Sequence, residues 1–277
     1  MSKIFFLFTL LFTLSINSQD FQGQAFYKTQ TAMDFGSWGD RMSAEQKKAM
    51  KERMKPFLEP VYILTFDKTK SIYRQEERLD APGSGGGRGW GKMMTSSGGP
   101  IYKDITSKKS LQSTEFMGKK FLISDDKDNI SWVLEKETKM IGNYTCFKAI
   151  ALVPKPKTMT SAWGSSEKQN DSIKNSSPDI ENAEFITVTA WYTPMIAVSH
   201  GPKGYGGLPG LILELTTDTE VMLCTRVVMN PEKQIEISEP TKGEFVSRTE
   251  FENIVELKVN EMRDMWRGGG SKSFRKN

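Results

Sequence analysis

The sequence predicts a mainly β protein: a single antiparallel sheet with a C-terminal helix packed on it and a short helix inserted near the N-terminus. Short runs of aromatic and β-branched residues recur along the chain, and polar turns separate them. No long helical segment lies between consecutive runs, which disfavours a parallel sheet with crossover helices. We therefore expect a meander, and we expect its sheet to curve.

The first 19 residues have the pattern of a secretory signal peptide. Lys3 supplies the positive charge, Ile4–Leu14 is almost entirely apolar, and cleavage is expected near Ser18 or Gln19. A transmembrane helix needs roughly 20 apolar residues, and this run is shorter. We therefore expect the mature chain to be exported, either to the periplasm or outside the cell.

Strand patterns dominate the mature chain. In chain order, the predicted strands are Gln22–Thr31, Val61–Phe66, Ser71–Arg74, Ile101–Thr106, Leu111–Met117, Lys120–Ser124, Ile130–Glu135, Tyr144–Val153, Phe185–Tyr192, Leu211–Leu215, Val221–Met229 and Gln234–Ser238. The polar segment Asp67–Lys70 separates the second strand from the third, which predicts a β-hairpin at that point.

Two segments have the pattern of a helix with a capping box at its start. Ser43–Met54 is the first, and we expect Pro56 and Pro60 to end it. The second begins with the box Thr249–Glu252 and ends at the glycines 268–270. Its apolar side chains lie largely on one face, which is expected to cover the sheet. These side chains are Phe251, Ile254, Val255, Met262, Met265 and Trp266.

The remaining segments predict loops around one β-rich domain that spans residues 20–267. Residues 81–99 are rich in glycine, and residues 154–183 are rich in Ser, Lys, Asn and Pro. Residues 268–277 form a basic tail that we expect to be disordered. The glycine run lacks the order strand, GxGxxG, helix, so it does not predict a phosphate-binding site.

Composition excludes several kinds of site. Lys and Arg total 38 and Asp and Glu total 34, and this near balance gives little support for nucleic-acid binding. The chain has one histidine and two cysteines, which exclude a histidine pair and a four-cysteine zinc site. We expect no cofactor, no nucleic-acid partner and no membrane span after the signal peptide is removed.

Cys146 and Cys224 both lie in predicted strands. In an oxidising compartment two such residues can form a disulfide. The bridge would close a loop of about 80 residues, which is worth roughly 4–5 kcal/mol on the loop-entropy argument. The alternative is two separate buried thiols, a common environment for this residue type.

The segment from Ile186 to Leu215 has the most distinctive local pattern. A strand ends at Pro194, which cannot donate a ladder hydrogen bond. Leu208–Leu211 fits a type II turn, with proline at the second position and glycine at the third. A buried strand follows, so the pattern predicts two strands joined by a rigid, glycine-lined loop.

Gly207–Ile212 spells GLPGLI, and the chain resembles the GLPGLI family of exported proteins from the Bacteroidetes lineage. Two further blocks agree in order. Trp132 precedes Glu137–Ala149, and Ala190–Thr193 precedes Gly201–Pro202. The resemblance implies export, but it carries no established biochemical function and no catalytic residues.

At the level of fold alone, the expected sheet is similar to the half-barrel of periplasmic lipoprotein carriers, which cup an apolar ligand under a helix. Residues at the centre of such a sheet could line a ligand site, and the alternative is that they fill the core. The candidate lining residues are Trp132, Trp191, Tyr192, Tyr205, Leu208 and Leu211. We therefore expect a non-catalytic envelope module that binds a hydrophobic or peptide-like ligand or docks on an outer-membrane protein.

Two other functions stay open. A hydrolase-like envelope enzyme would use His200 as its base, although no serine lies in a GxSxG elbow and a solvent-facing turn residue is the alternative. A copper protein would use methionine thioethers, which bind soft Cu(I). The methionines in question are Met33, Met42, Met50, Met54, Met93 and Met94. The acidic segment Asp125–Asn129 lacks EF-hand spacing and predicts calcium only weakly.

Overall fold

The computed structural model describes residues 21–32, 40–76, 99–125, 130–155 and 185–269, with side chains in the last helix described as far as Met265. The predicted signal peptide lies outside these residues. So do most of the glycine-rich and Ser/Lys-rich segments and nearly all of the basic tail.

In this part of the chain, twelve strands form one open, curved sheet, and two α-helices accompany it. The strands are β1 (Gly23–Thr31), β2 (Val61–Phe66), β3 (Lys70–Gln75), β4 (Ile101–Asp104), β5 (Lys109–Phe116), β6 (Lys119–Ser124), β7 (Val133–Ile141), β8 (Tyr144–Pro154), β9 (Phe185–Thr193), β10 (Leu211–Thr216), β11 (Glu220–Met229) and β12 (Glu244–Ser247). The helices are α1 (Ala44–Leu58) and α2 (Arg248–Gly269). The predicted fold class is confirmed.

The sheet consists of two antiparallel meanders joined side by side. Its strand order is β12-β6-β5-β4-β3-β2-β1-β11-β10-β9-β8-β7. One meander runs from β1 to β6 and the other from β7 to β11. They meet where β1 pairs with β11, from Gly23 opposite Met229 to Thr31 opposite Glu220.

Two strand predictions need correction, and one strand was missed. Gln234–Ser238 is not a strand, because the backbone of Ile235 exchanges hydrogen bonds of 2.7 and 2.8 Å with the side chain of Gln22. The short strand β12 was not predicted, and it pairs with β6 in parallel. The predicted strand Ile130–Glu135 is displaced, since β7 begins at Val133 and continues through a charged stretch to Ile141.

Helix α1 has the predicted capping box. The Gln46 N–H donates to Ser43 Oγ at 3.2 Å, and the Ser43 N–H donates to the Gln46 side chain at 2.9 Å. The helix passes through Pro56 and ends at Leu58, so the predicted end was too early. It has no fully buried side chain, and it rests against β1 beside an ion pair of 3.0 Å between Lys28 and Glu59.

The capping box of helix α2 lies two residues earlier than predicted. The box is formed by Ser247 and Glu250 rather than by Thr249 and Glu252. The helix packs at the far end of the sheet, on β6 and β12, where Phe251 meets the ring of Phe121 edge-on at 5.3 Å. None of the described helices is long and apolar enough to cross a bilayer.

Two larger apolar clusters fill the middle of the molecule. One contains Tyr27, Phe66, Leu211 and both cysteines, and the other contains Tyr192 and its neighbours along β8 to β11. The Tyr27 hydroxyl donates a 2.6 Å hydrogen bond to the Ile212 carbonyl, and so links β1 to β10. The segment between β9 and β10 contributes side chains to both clusters.

Candidate functional site

The loop between β9 and β10, residues 194–210, is referred to below as the β9–β10 loop. Its centre is a single 3₁₀ turn, Pro202–Gly204, which contacts β3 and β4. Lys103 of β4 is buried and donates from Nζ to the Gly204 carbonyl at 3.2 Å. The loop therefore reaches from the second meander to the first.

Hydrogen bonds within the loop hold its glycine-rich end. The Ser199 hydroxyl donates to the Leu208 carbonyl at 3.1 Å and accepts from the Gly207 N–H at 3.0 Å. The Trp132 indole N–H donates to the Gly206 carbonyl at 2.9 Å. These bonds give hydrogen-bond partners to backbone groups of the loop, including the carbonyls of the buried Gly206 and Leu208. Buried backbone groups need such partners.

The predicted type II turn is replaced by a tighter one. The Gly210 N–H donates to the Leu208 carbonyl at 2.8 Å, which closes a three-residue turn around Pro209. The Leu211 N–H instead donates to the Ile196 carbonyl at 3.0 Å. Glycine is required at 210 because a Cβ atom there would overlap the Thr193 carbonyl group.

The six predicted ligand-lining residues belong to the packed interior. Tyr192, Tyr205, Leu208 and Leu211 are buried, whereas Trp132 and Trp191 are half-buried. They divide between the two apolar clusters rather than facing one cavity. Of the predicted signature residues, Leu208, Gly210, Leu211 and Ile212 are buried, and only Gly207 and Pro209 are exposed.

The ring of Trp191 is covered by a charged side chain of the same chain. Lys139 Nζ lies 4.3 Å from its centroid and 2.7 Å from the Glu214 carboxylate. This arrangement combines a cation–π contact with an ion pair. The covered ring face is therefore not offered to a stacking ligand.

His200 is fully buried, which corrects the expectation of a solvent-facing turn residue. Its ring lies 6.3 Å from that of Phe66, and neither ring nitrogen has a hydrogen-bond partner among the described residues. Burial, and then the charge of Lys103, lower the pKa of His200 from 6.5 to about 4. The side chain is neutral at pH 7 and out of contact with solvent.

Cys146 and Cys224 are buried as separate thiols in the same apolar cluster. Burial raises the pKa of each thiol to about 11. Each sulfur lies beside a carbonyl of its own strand, Cys146 near Tyr144 and Cys224 near Arg226. The disulfide between them stays a prediction.

Three of the six methionines proposed for copper are described, and all three lie on or beside α1. Met42 and Met50 line a cleft of about 550 Å³ beside α1, together with the cations Arg41 and Arg53. Met54 is half-buried on the same helix. Met33, Met93 and Met94 lie outside the described residues.

The acidic segment is only partly described, since residues 126–129 lie outside the described ranges. Asp125 forms an ion pair of 2.7 Å with Arg248 at the start of α2. Within those ranges, no group of three or more His, Cys, Asp or Glu side chains is placed to hold a metal ion.

Sequence reasoning missed an exposed apolar patch at the outer corner of the second meander. We call Val133, Ile150, Leu152 and Phe185 the corner patch. Val133 pairs with Ile150, and Phe185 pairs with Pro154, two residues beyond Leu152. Because alternate residues of a strand share a face, all four side chains lie on one side of the sheet.

The corner patch is open to solvent. Val133, Leu152 and Phe185 expose 63%, 67% and 57% of their surface. The described helices pack elsewhere, α1 against β1 and α2 against β6 and β12. In sequence, Ile150–Val153 is a continuous apolar run, which is typical of a strand buried on both faces. The run therefore predicted burial of both faces of β8 and did not indicate that Leu152 is exposed.

Comparisons with known proteins add a family match and a distant likeness of fold. No curated protein matches this chain. The structures of PNGF-II in space groups C2 and P21 are similar, with TM-scores of 0.46 and 0.47 and 13% identity. The similarity covers 86% of this chain but only 33% and 34% of those chains, so this chain spans about a third of their length. Residues 132–214 match the model of a family described as "Protein of unknown function (Porph_ging)".

Proposed function

We propose that this protein is a non-catalytic module of the cell envelope that binds a protein or peptide-like partner on the corner patch. The observation that carries this proposal is the exposure of Val133, Leu152 and Phe185 on one face of the sheet, which neither described helix covers. Contiguous exposed apolar side chains in a folded domain are typical of interaction sites.

The interior of the curved sheet is the weaker candidate for a binding surface. The β9–β10 loop fills it with Ile196, Val198 and Leu208, all of them buried. A ligand cupped there would have to displace core side chains, whereas the corner patch can be covered without any rearrangement.

The envelope location and the family are part of the same proposal. The secretory pattern of residues 1–19 supports export. Two observations support membership of the GLPGLI family. The motif at Gly207–Ile212 spells its signature, and residues 132–214 match the model of a family of unknown function. The proposal excludes a catalytic role for His200, because that side chain has no access to solvent.

Site-specific photo-crosslinking in cells of the natural host tests the proposed function. A benzophenone amino acid would replace Leu152 in the corner patch or, as the control, the exposed Glu115 of β5. We expect a cross-linked product of one defined mass from position 152 and none from position 115. The second variant Phe185→Glu should abolish that product, because it places a charge on the same surface.

Mass spectrometry would identify the cross-linked species. A product that survives Phe185→Glu, or that forms equally from both positions, contradicts docking on the corner patch. Absence of any product from position 152 in cells that contain the folded protein contradicts it as well.

A further inference from the structure

His200 is held by its backbone, and its buried side chain lies between the Lys103 ammonium and the turn that contains Asp67. The Ile212 N–H donates to the His200 carbonyl at 3.1 Å, and His200 pairs with Gly206 across the β9–β10 loop. Both ring nitrogens are buried, and neither forms a hydrogen bond of normal length and angle, although the Asp67 backbone lies close enough to act on the ring. A neutral imidazole tolerates this environment better than a charged one, because burial penalises charge far more than polarity.

Two charged side chains shift the pKa of the His200 imidazole. Lys103 approaches from β4 and is itself only 3% exposed. Asp67, in the β2–β3 turn, raises the pKa of His200 through both its carboxylate and its backbone, but these effects are smaller than those of burial and Lys103. Its Oδ1 already accepts the backbone N–H groups of Thr69 and Lys70 at 2.7 and 2.6 Å. A proton on His200 would therefore add a second positive charge beside Lys103, while the Asp67 carboxylate is already hydrogen-bonded within its turn.

We infer that His200 is an acid-sensitive switch for the β9–β10 loop. The neutral ring keeps the loop packed on the sheet, and the protonated ring releases it. The released segment would expose Ile196, Tyr205 and Leu208, which are now buried. The antiparallel pairing of β9 with β10, from Leu211 opposite Thr193 to Thr216 opposite Thr189, does not involve the imidazole. Opening of the loop is therefore expected to leave the sheet intact.

The sign of the pH dependence follows from the shift in pKa. In the closed loop the pKa of His200 is about 4, and in an opened loop it returns to its usual value of 6.5. The closed form is fully favoured above pH 6.5, and its advantage falls about tenfold for each pH unit between 6.5 and 4. Between pH 7 and pH 5 the population of open loops should rise by about 20-fold on this linkage.

The inference does not depend on the corner patch, and the full mature chain tests it directly. The chain has a single histidine, so the ring protons of His200 give an unambiguous NMR signal. Hydrogen exchange, corrected for intrinsic rates, would follow the amides of Gly207, Leu211 and Ile212 beside those of β1 and β2. These three are called the loop amides, because each donates to Ser199, Ile196 or His200 of the β9–β10 loop. We expect the loop amides alone to exchange about 20-fold faster at pH 5 than at pH 7. The closed-state ring should titrate well below pH 6.5.

The variant His200→Gln keeps a polar side chain but cannot titrate, and its loop amides should exchange equally at both pH values. If that variant does not fold, the wild-type NMR titration still decides the matter. A ring that titrates near pH 6.5 in the folded protein overturns the inference. Loop amides that stay unchanged, or that accelerate together with β1 and β2, overturn it as well.

Discussion

The indole N–H of Trp132 donates to the carbonyl of Gly206, 74 residues further along the chain, at 2.9 Å. This bond joins the segment just before β7 to the glycine-rich end of the β9–β10 loop. The donor therefore lies in one block of the sequence pattern, and the acceptor lies directly before the signature Gly207–Ile212.

Replacing Trp132 should measure the strength of this link. Trp132→Phe removes the donor and leaves the buried Gly206 carbonyl unpaired, which should lower the free energy of unfolding by about 1–3 kcal/mol. Urea denaturation followed by circular dichroism would measure the loss. Phe185→Leu, on the exposed corner patch, is the control and should change stability by less than about 0.5 kcal/mol. Equal effects of the two variants would show that the indole bond contributes nothing.

Gly210→Ala should be the most damaging glycine replacement in the loop. A Cβ atom at this position would overlap the carbonyl group of Thr193, which is backbone and cannot rotate away. Gly118→Ala is the matched control, since Gly118 has a positive φ of 77° but no neighbouring atom within 4 Å. We expect the control to cost about 1 kcal/mol through backbone strain alone.

Thermal unfolding of the two glycine variants would separate strain from overlap. We expect Gly210→Ala to cost clearly more than its control, or to prevent folding. If the two variants unfolded at the same temperature, close approach would not be the reason for glycine at position 210.

The start of α2 offers a comparison between sequence and structure. Ser247→Ala removes the side chain that accepts the Glu250 N–H at 3.2 Å, and should cost about 1 kcal/mol. Thr249→Ala removes the cap that the sequence pattern favoured, and should cost less than about 0.5 kcal/mol. Chemical denaturation of both variants would measure the two losses of stability. A larger loss for Thr249→Ala would show that the predicted box, and not the observed one, caps the helix.

The capping box should also make α2 sensitive to acid. Hydrogen bonds from Ser247 lower the pKa of Glu250. A carboxylate of lowered pKa stabilises the fold above its unfolded pKa, and this contribution is lost as the pH falls through the folded value. The difference in stability between the wild type and Ser247→Ala should therefore shrink below about pH 4, the unfolded pKa of glutamate. A constant difference down to pH 3 would show that the carboxylate takes no part.

The charged residues of β7 should protect an exposed sheet edge. This strand ends the sheet order, and Glu135–Glu137 lie at an irregularity of its pairing with β8. Charge and irregular pairing at an edge discourage addition of strands from other molecules. Lys136→Val should therefore increase self-association, which light scattering over a range of concentrations would detect. Lys120→Val is the control, because β6 lies between β12 and β5, and it should not increase self-association. Equal self-association of the two variants would show that the charges of β7 do not protect the edge.

Both thiols should resist modification in the folded, reduced protein. A pKa of about 11 leaves Cys146 and Cys224 with roughly a hundredth of the thiolate that an ordinary cysteine has at pH 8. An aromatic disulfide reagent should react slowly with the native, reduced chain. After denaturation it should modify two thiols per chain. Rapid native reaction would contradict burial. Exported protein that fails to react even when denatured without reductant would contain the predicted disulfide.

Sequence patterns identified most of the sheet because alternation and turn chemistry are local properties. Val61–Phe66 and its hairpin are examples, and the structure places them as expected. β12 was missed because Phe245 and Val246 are its only apolar residues, and its pairing with β6 is set by distant contacts. Ile235 and Ile237 alternate as in a strand, yet the backbone of Ile235 bonds the side chain of Gln22.

The candidate site was harder to predict than the fold. The aromatic and leucine residues around the signature were identified, but their burial depends on the path of the β9–β10 loop across the sheet. The same path decides that His200 is enclosed by Phe66 and Lys103, which lie on β2 and β4. Exposure of Leu152 and Phe185 depends on which face the helices leave uncovered, and no local pattern reports that.

The pairing of β1 with β11 has a consequence for how the chain acquires its structure. β1 lies in the middle of the sheet, between β2 and β11, although it is the first strand of the described chain. Its partner on one side appears roughly 200 residues later, so that half of its ladder cannot form until nearly all of the protein has left the ribosome. The central sheet of such a chain stays incomplete during most of its synthesis, and the export proposed above would act on the chain in that incompletely folded state.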